Sequence, residues 1–415
     1  MTEAIPAAAA RPLDGVRVID LTTVLMGPFA TQLLGDMGAD VVKVEAPGGD
    51  NTRQIGPARN DGMGAIFLNV NRSKRSVVLD LKQPAAREAL LKLCADADIV
   101  VFNIRPQAME RLGLGYEALS AANPRLIYAG LVGYDPRGPY AARPAYDDLI
   151  QGAIGLPALA VQAGSDEPRY VPLTIADYFV GISGVTAMLG ALHYRERTGL
   201  GQQLTVPMFE TMAQLVLGVH LGGRTFEPAE GPPGYARLLT PQRRPYRTLD
   251  GHVCALVYTD KQCESFFRAV GRPELFEGDA RFATIASRTR HIGDLYALVE
   301  TQMAQRTTAE WLSLLSQADI PVMPMHDLDS LIDDPHLAAV GLISSFEHPS
   351  EGVLNSVNVP ATWSRSQPSP GRPAPRLGEH SAEVLREAGL SQETIDQMLA
   401  CGATLDTGPG VHAPA

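Results

Sequence analysis

At 415 residues the chain is long for one compact core, and two domains are expected. Hydrophobic residues at 45% and charged residues at 20% are the ordinary mix of a globular enzyme, which excludes wholesale disorder. A net charge of −11 argues against a nucleic-acid partner, so any polyanionic ligand needs a local basic patch.

The opening segment, MTEAIPAAAARP, lacks a basic start and an apolar stretch, and reads as a loose tail rather than a signal peptide. The closing TGPGVHAPA reads the same way. Cys94, Cys254, Cys263 and Cys401 form no CxxC pair. Without a secretory signal they read as reduced thiols of a cytoplasmic protein.

The first third alternates predicted strands and helices. Strands are expected at Val16–Asp20, Asp40–Glu45, Ser76–Leu81, Asp98–Phe102 and Arg125–Leu131, with helices at Gly27–Met37 and Pro84–Asp96. This alternation predicts a largely parallel sheet in an α/β domain. No GxGxxG follows the first strand, so nicotinamide binding loses its main support. A long helix is expected from Thr174 to Arg197. Its apolar run Tyr178–Leu192 is too short to span a bilayer comfortably and reads as buried. A strand at Gln202–Val206 and a helix at Pro207–His220 follow.

Composition then changes. Glu227–Gly234 (EPAEGPPG) is a Pro/Gly-rich linker, and 225–330 reads as a smaller α+β domain. Within it, Val253–Tyr258 is an expected strand, Lys261–Val270 a helix, and Thr307 with Glu310 a capping box. The remainder, 331–415, adds strand-like segments and short helices near Ser381 and Ser391.

All nine histidines lie at or beyond His193, so acid–base chemistry in the N-terminal region must use carboxylates, Tyr or Lys. Nothing resembles HExxH or GxSxG, and no metal site is expected. The segment NRSKRS places Arg72, Lys74 and Arg75 within four residues. It reads either as a solvated loop or as a phosphate clamp. Asn103, Arg105 and Arg111 follow the fourth strand, where open α/β sheets place ligands. Asp177 opens the long helix. By default it is a cap or first-turn charge. The same position also suits a carboxylate nucleophile kept ionised by the helix N-terminus.

The segments LDGVRVIDLTTVLMGPFATQLLGDMGADVVKVEAPGGD, NRSKRSVVLDLK, VVFNIRPQAMERLGLGYEAL, NPRLIYAGLVGYDPRGPY, IADYFVGISGVTAMLGALHYRERTGLGQQLTVPMFE, PYRTLDGHV, DPHLAAVGL and PRLGEHSAEVLREAGLS occur in this order. Together they resemble the family III CoA-transferases, a group that includes formyl-CoA transferases and α-methylacyl-CoA racemases. The resemblance implies an interlocked homodimer. Its large α/β, Rossmann-like domain is built from both chain ends (1–224 and 331–415), with a small middle domain. It implies acyl-CoA and a free carboxylic acid as substrates, with no tightly bound cofactor and no membrane partner.

Asp177 matches the family's acyl acceptor. Arg72, Lys74, Arg75, Asn103, Arg105 and Arg111, with Lys43, match its CoA contacts. The implied chemistry passes through aspartyl anhydrides and an aspartyl-CoA thioester. Leu25 stands where formyl-CoA transferases carry glutamine, so formate or oxalate is not the expected substrate. Tyr146, followed by Asp147, stands where racemases carry histidine, which ranks transfer above racemisation. A non-catalytic acyl-CoA-binding protein is the reading from a different class. Tyr146 reads equally as acyl-pocket lining or as a packed aromatic. Gly231–Gly234 (GPPG) matches the position of a glycine-rich lid. Arg243 and Arg244 offer charges for a second carboxylate.

Overall fold

The computed structural model describes residues 11–408. Residues 1–10 and 409–415, which hold most of the two expected tails, lie outside the described residues. The chain divides into two compact units. The larger takes the chain up to Ile150, Leu173–Met212 and everything from Pro335; the smaller takes Gln151–Pro172 and Ala213–Asp334. The smaller unit therefore begins ahead of the Pro/Gly-rich segment and includes 151–172, a stretch that no shift in composition marks.

Six parallel strands form the centre of the larger unit: β1 (Arg17–Leu21), β2 (Asp40–Glu45), β3 (Lys74–Val78), β4 (Ile99–Phe102), β5 (Ile127–Val132) and β6 (Gln202–Pro207). Their order is β3-β2-β1-β4-β5-β6. Runs such as IVVF and IYAGLV are buried throughout, as strands covered on both faces must be. β3 starts two residues before the expected Ser76. Lys74 and Arg75 break the apolar pattern, yet both are buried strand residues because acidic partners answer their charges. The strand order reverses between β1 and β4, so the loops leaving their carboxyl ends diverge and open a crevice there.

The chain's end returns to this unit. The helix Pro84–Ala95 and the late helices Ser381–Glu387 and Gln392–Ala400 share one apolar cluster, through Leu90, Leu93, Val384, Leu385, Ile395 and Met398. Each such buried side chain contributes roughly 1.5–3 kcal/mol. Thr404 Oγ1 donates to Val78 O at 2.6 Å, and Asp80 N–H to Ala403 O at 2.9 Å, which stitch the two ends together.

The long helix spans Ile175–Thr198 and stops at Gly199, whose φ of +78° suits a residue without a Cβ. Val180, Gly184, Met188, Ala191 and Arg195 lie on its buried stripe, at helical spacing. Gly181 and Gly184 set its depth. A Cβ on Gly181 would lie 2.8 Å from Met26 O, and one on Gly184 2.7 Å from Leu131 Cδ2. The helix therefore presses directly on β5 and on the first helix, Met26–Asp36. The expectation of a buried helix holds for one face only, because Ile182 and Tyr194 on the other are about half exposed.

In the smaller unit, β7 (Tyr246–Arg247), β8 (His252–Ala255) and β9 (Val322–Pro324) form an antiparallel sheet. The helices Asp260–Ala269 and Thr308–Gln317 pack Phe266, Phe267 and Trp311 into its core. The Thr307 capping box is complete: Glu310 N–H donates to Thr307 Oγ1 at 3.3 Å and Thr307 N–H to Glu310 Oε2 at 2.8 Å. Two backbone bonds fasten the segment that matches the position of a glycine-rich lid, and a third fastens Glu230 just before it. Glu230 N–H donates to Gly223 O, Gly223 N–H to Pro232 O, and Gly234 N–H to His220 O. This fastening argues against Gly231–Gly234 swinging as a lid. Back in the larger unit, β10 (Ile343–His348) and β11 (Gly352–Val357) form a hairpin.

Candidate active site

The turn leaving β1 is held by buried charges. Asp20 is fully buried, and its carboxylate accepts from Thr22 N–H at 2.9 Å and from Thr31 Oγ1 at 2.6 Å. Lys74 Nζ lies 3.1 Å from Asp20 Oδ2 and also donates to Pro28 O at 2.8 Å. Burial alone would raise the Asp20 carboxyl, but the Lys74 and Lys43 ammonium groups overcome it and hold the group near 2. Lys43 Nζ donates to Thr22 O and to Asp50 Oδ2, both at 2.9 Å. Asp50 in turn accepts from Val24 N–H at 3.3 Å. Across the crevice, Asn103 brackets Thr23: Thr23 N–H donates to its Oδ1 at 3.0 Å, and its Nδ2 donates to Thr23 O at 2.8 Å. The product is a pinned turn in which Val24, a β-branched residue, has φ +70°. Backbone this unfavourable persists only where its surroundings over-determine it.

Leu25 follows Val24 and precedes the first helix; its side chain is half-buried. The start of that helix meets the start of the long one, with Phe29 and Tyr178 in edge contact at 4.5 Å between ring centroids. Asp177 therefore stands near the carboxyl-end crevice of the sheet.

The long helix is capped from elsewhere in the chain. Thr174, at its N-cap position, makes no side-chain cap bond. Instead Asp147 Oδ2 accepts from Ala176 N–H at 2.7 Å and from Asp177 N–H at 3.0 Å. Asp147 begins a short helix, Asp147–Ala153, whose lead-in packs Ala145 against Gly133 at the end of β5. Its carboxylate satisfies two otherwise orphaned N–H groups and brings a like charge beside Asp177. Burial, and then that neighbouring charge, push the Asp177 carboxyl up to about 7. This corrects the expectation that the helix terminus keeps Asp177 fully ionised. Near neutral pH it is poised between its two states.

The Asp147→Asn variant keeps an acceptor for the cap bonds and removes the charge. The Asp177 carboxyl, pushed up to about 7 in the native protein, is therefore expected to move down, and with it the acid limb of any kcat/KM pH profile that Asp177 controls. Asp147→Ala, which loses the acceptor as well, is expected to destabilise the fold by about 1 kcal/mol. An unshifted limb in Asp147→Asn would show that the pair is not electrostatically coupled.

The residues expected at CoA divide into two groups. Lys43 and Lys74 are wholly buried, and both spend their charge inside the protein. Arg75 meets Asp40 at 2.6 Å and Glu383 and Glu387 at 2.9 Å, while Arg72 meets Asp36 at 2.8 Å. The segment's backbone also lies at the amino end of the sheet, where Lys74 pairs with Val41, and the Lys74 side chain reaches from there to Asp20 and Pro28. The phosphate-clamp expectation is corrected for Arg72, Lys74 and Arg75, and the CoA-contact expectation for Lys43: acidic neighbours already answer all four charges. Asn103, Arg105 and Arg111 do follow β4 at the carboxyl end. Arg105 and Arg111 are exposed and make no ion pair among the described residues. Tyr146 is 66% exposed, which removes the packed-aromatic alternative within this chain. The cap made by Asp147 was missed, since nothing in the sequence links positions about 30 apart.

The chain matches CoA-transferase family III over residues 13–381 and belongs to that family. It is 35% identical to the succinyl-CoA:mesaconate CoA-transferase of Haloarcula hispanica, covering 92% of this chain and 98% of that one. It is 32% identical to the succinate–glutarate CoA-transferase of Agrobacterium fabrum, covering 93% and 97%. Among solved structures, a CAIB/BAIF family protein from Brucella suis superposes with a TM-score of 0.76 at 32% identity, covering 91% of this chain and all of the other.

Proposed function

With membership of CoA-transferase family III as the premise, we propose that this enzyme moves CoA from an acyl-CoA to a free carboxylic acid, with Asp177 as the nucleophile. The carrying observation is an aspartate whose carboxyl is raised to about 7 at the head of a long helix, beside a preorganised turn at the carboxyl-end crevice. A carboxylate of raised basicity is the better nucleophile once deprotonated, and at neutral pH a large fraction is deprotonated.

Asp177 attacks the thioester carbonyl. The C–S bond breaks, CoA leaves as thiolate, and a mixed anhydride forms. The thiolate then attacks the aspartyl carbonyl and releases the donor acid. The acceptor carboxylate attacks the resulting aspartyl-CoA thioester and expels the thiolate. That thiolate then attacks the acyl carbonyl of the second anhydride, which gives the new acyl-CoA and returns Asp177. Carboxylates and thiolate carry every step, consistent with the absence of histidine before His193. Asn103, Arg105 and Arg111 are the proposed contacts for the CoA moiety, and Leu25 and Tyr146 the acyl-pocket lining.

The same reading has two copies of the chain forming the working unit. Tyr146, Leu149 and Leu173 flank the two aspartates in sequence and are at least half exposed in one chain, as surfaces awaiting a partner are. Dicarboxylic acids, for which both named relatives are called, are the first acceptors to assay. Incubation with acyl-CoAs and free acids, followed by mass spectrometry of the CoA esters, tests the transfer. Hydroxylamine trapping of an adduct on the Asp177 peptide tests the intermediate. New CoA esters without any such adduct would sink the covalent route.

A further inference from the structure

The smaller unit carries an arginine-lined cavity of about 270 Å³, bounded by Arg237, Arg243, Arg244, Tyr246, Cys254 and Tyr296, among others. Arginines at a surface are usually just solvated. Two features set this group apart.

The first is rigidity. Arg237 Nε donates to Tyr296 OH at 3.0 Å, and its guanidinium carbon sits 4.5 Å from the centre of the Tyr258 ring. Tyr296 is itself only 3% exposed and Tyr258 is half-buried against the same core, so this guanidinium is held between two packed tyrosines. The second is charge. Glu300 answers Arg244 at 2.8 Å, but among the described residues no Asp or Glu pairs with Arg237 or Arg243. Two cations therefore share one cavity without a counter-ion. One of them is half-buried and immobile, so little entropy is lost in binding an anion. The aliphatic part of the wall, Pro245, Ala255 and Leu256, suits a short carbon chain.

We propose that this cavity binds the carboxylate of a small organic acid, with Arg237 as fixed partner and Arg243 as mobile partner. The proposal rests on the transfer reading only for its choice of carboxylate over other anions.

The test is calorimetric titration of the full-length enzyme with glutarate, in the absence of any CoA ester, using glutaramide as the uncharged control and inorganic phosphate as a second anion. Glutarate is expected to bind, glutaramide not to bind, and Arg243→Gln to weaken glutarate on the order of 10-fold, the usual effect of losing one charge-assisted contact. Arg237→Gln is expected to weaken it further. Arg243 is exposed, so its variant keeps the test valid if Arg237→Gln fails to fold. Equal binding of glutarate by wild type and Arg243→Gln overturns the proposal, as does phosphate binding as tightly as glutarate. An enzyme that binds glutarate here but transfers no CoA keeps this site and loses the transfer reading. One that transfers CoA without binding glutarate does the reverse.

Discussion

Asp177→Asn is expected to abolish CoA transfer and, at the same time, to make the protein harder to unfold above pH 7. Removing a covalent nucleophile lowers kcat by roughly 10⁴-fold or more in enzymes that depend on one. The gain in stability comes from the raised carboxyl. Between about pH 4 and 7 the folded chain binds this proton more tightly than the unfolded chain, so native stability falls as pH rises through that window. Above 7 the penalty is complete. Asparagine has no charge to desolvate or to set against Asp147, so its stability curve lacks that decline. The gap is expected to reach about 1–3 kcal/mol at pH 8, after discount for solvent reaching the partly exposed group, and to close below pH 4. Urea denaturation at pH 8 and pH 4, beside a transfer assay, reads both effects. An inactive variant with unchanged stability at pH 8 would show that Asp177 is not the strained group described here. Full activity would end its role as nucleophile.

Lys74→Met is expected to cost about 3–5 kcal/mol of stability, the usual result of removing one member of a buried ion pair. Burial pushes the Lys74 ammonium down to about 8, so the cation gains little by being inside. What it supports is Asp20, whose carboxylate is fully buried and fastens the turn after β1. A second change, Asp20→Asn, removes the stranded charge and is expected to recover part of the loss in the double variant. A phosphate contact would behave differently, raising KM for the CoA ester with stability intact. Denaturation midpoints and KM for the single and double variants separate the two roles. A stable Lys74→Met enzyme with a raised KM would restore the clamp.

The parallel sheet was legible because its strands are short apolar runs separated by helical patterns, a signal that survives without knowledge of contacts. Legibility ended where a residue's meaning depends on a distant partner. Lys74 and Arg75 look like loop charges until Asp20, Asp40 and Glu387 are placed around them, the last more than 300 positions away. For the same reason β3 begins two residues ahead of the expected Ser76. The helices Asp147–Ala153 and Leu156–Gln162 are hard to read from the sequence because each has only 7 residues, with Gly152 inside the first and Gly155 between them. With them went the cap over Asp177. The aspartate itself was found through its motif, but its carboxyl was expected to stay ionised, since neither burial nor Asp147 can be read from local sequence.

Val24 has a consequence for how the enzyme meets its substrate. A β-branched residue at φ +70° is ordered against its own preference, by Asp50 at its N–H and by Asn103 around the neighbouring Thr23. The disorder this turn would otherwise enjoy is surrendered during folding, long before any ligand arrives. Any ligand that meets the β1 turn, as the proposed transfer reading has a CoA ester do, then carries no penalty for freezing it, and the encounter is closer to docking on a template than to coupled ordering.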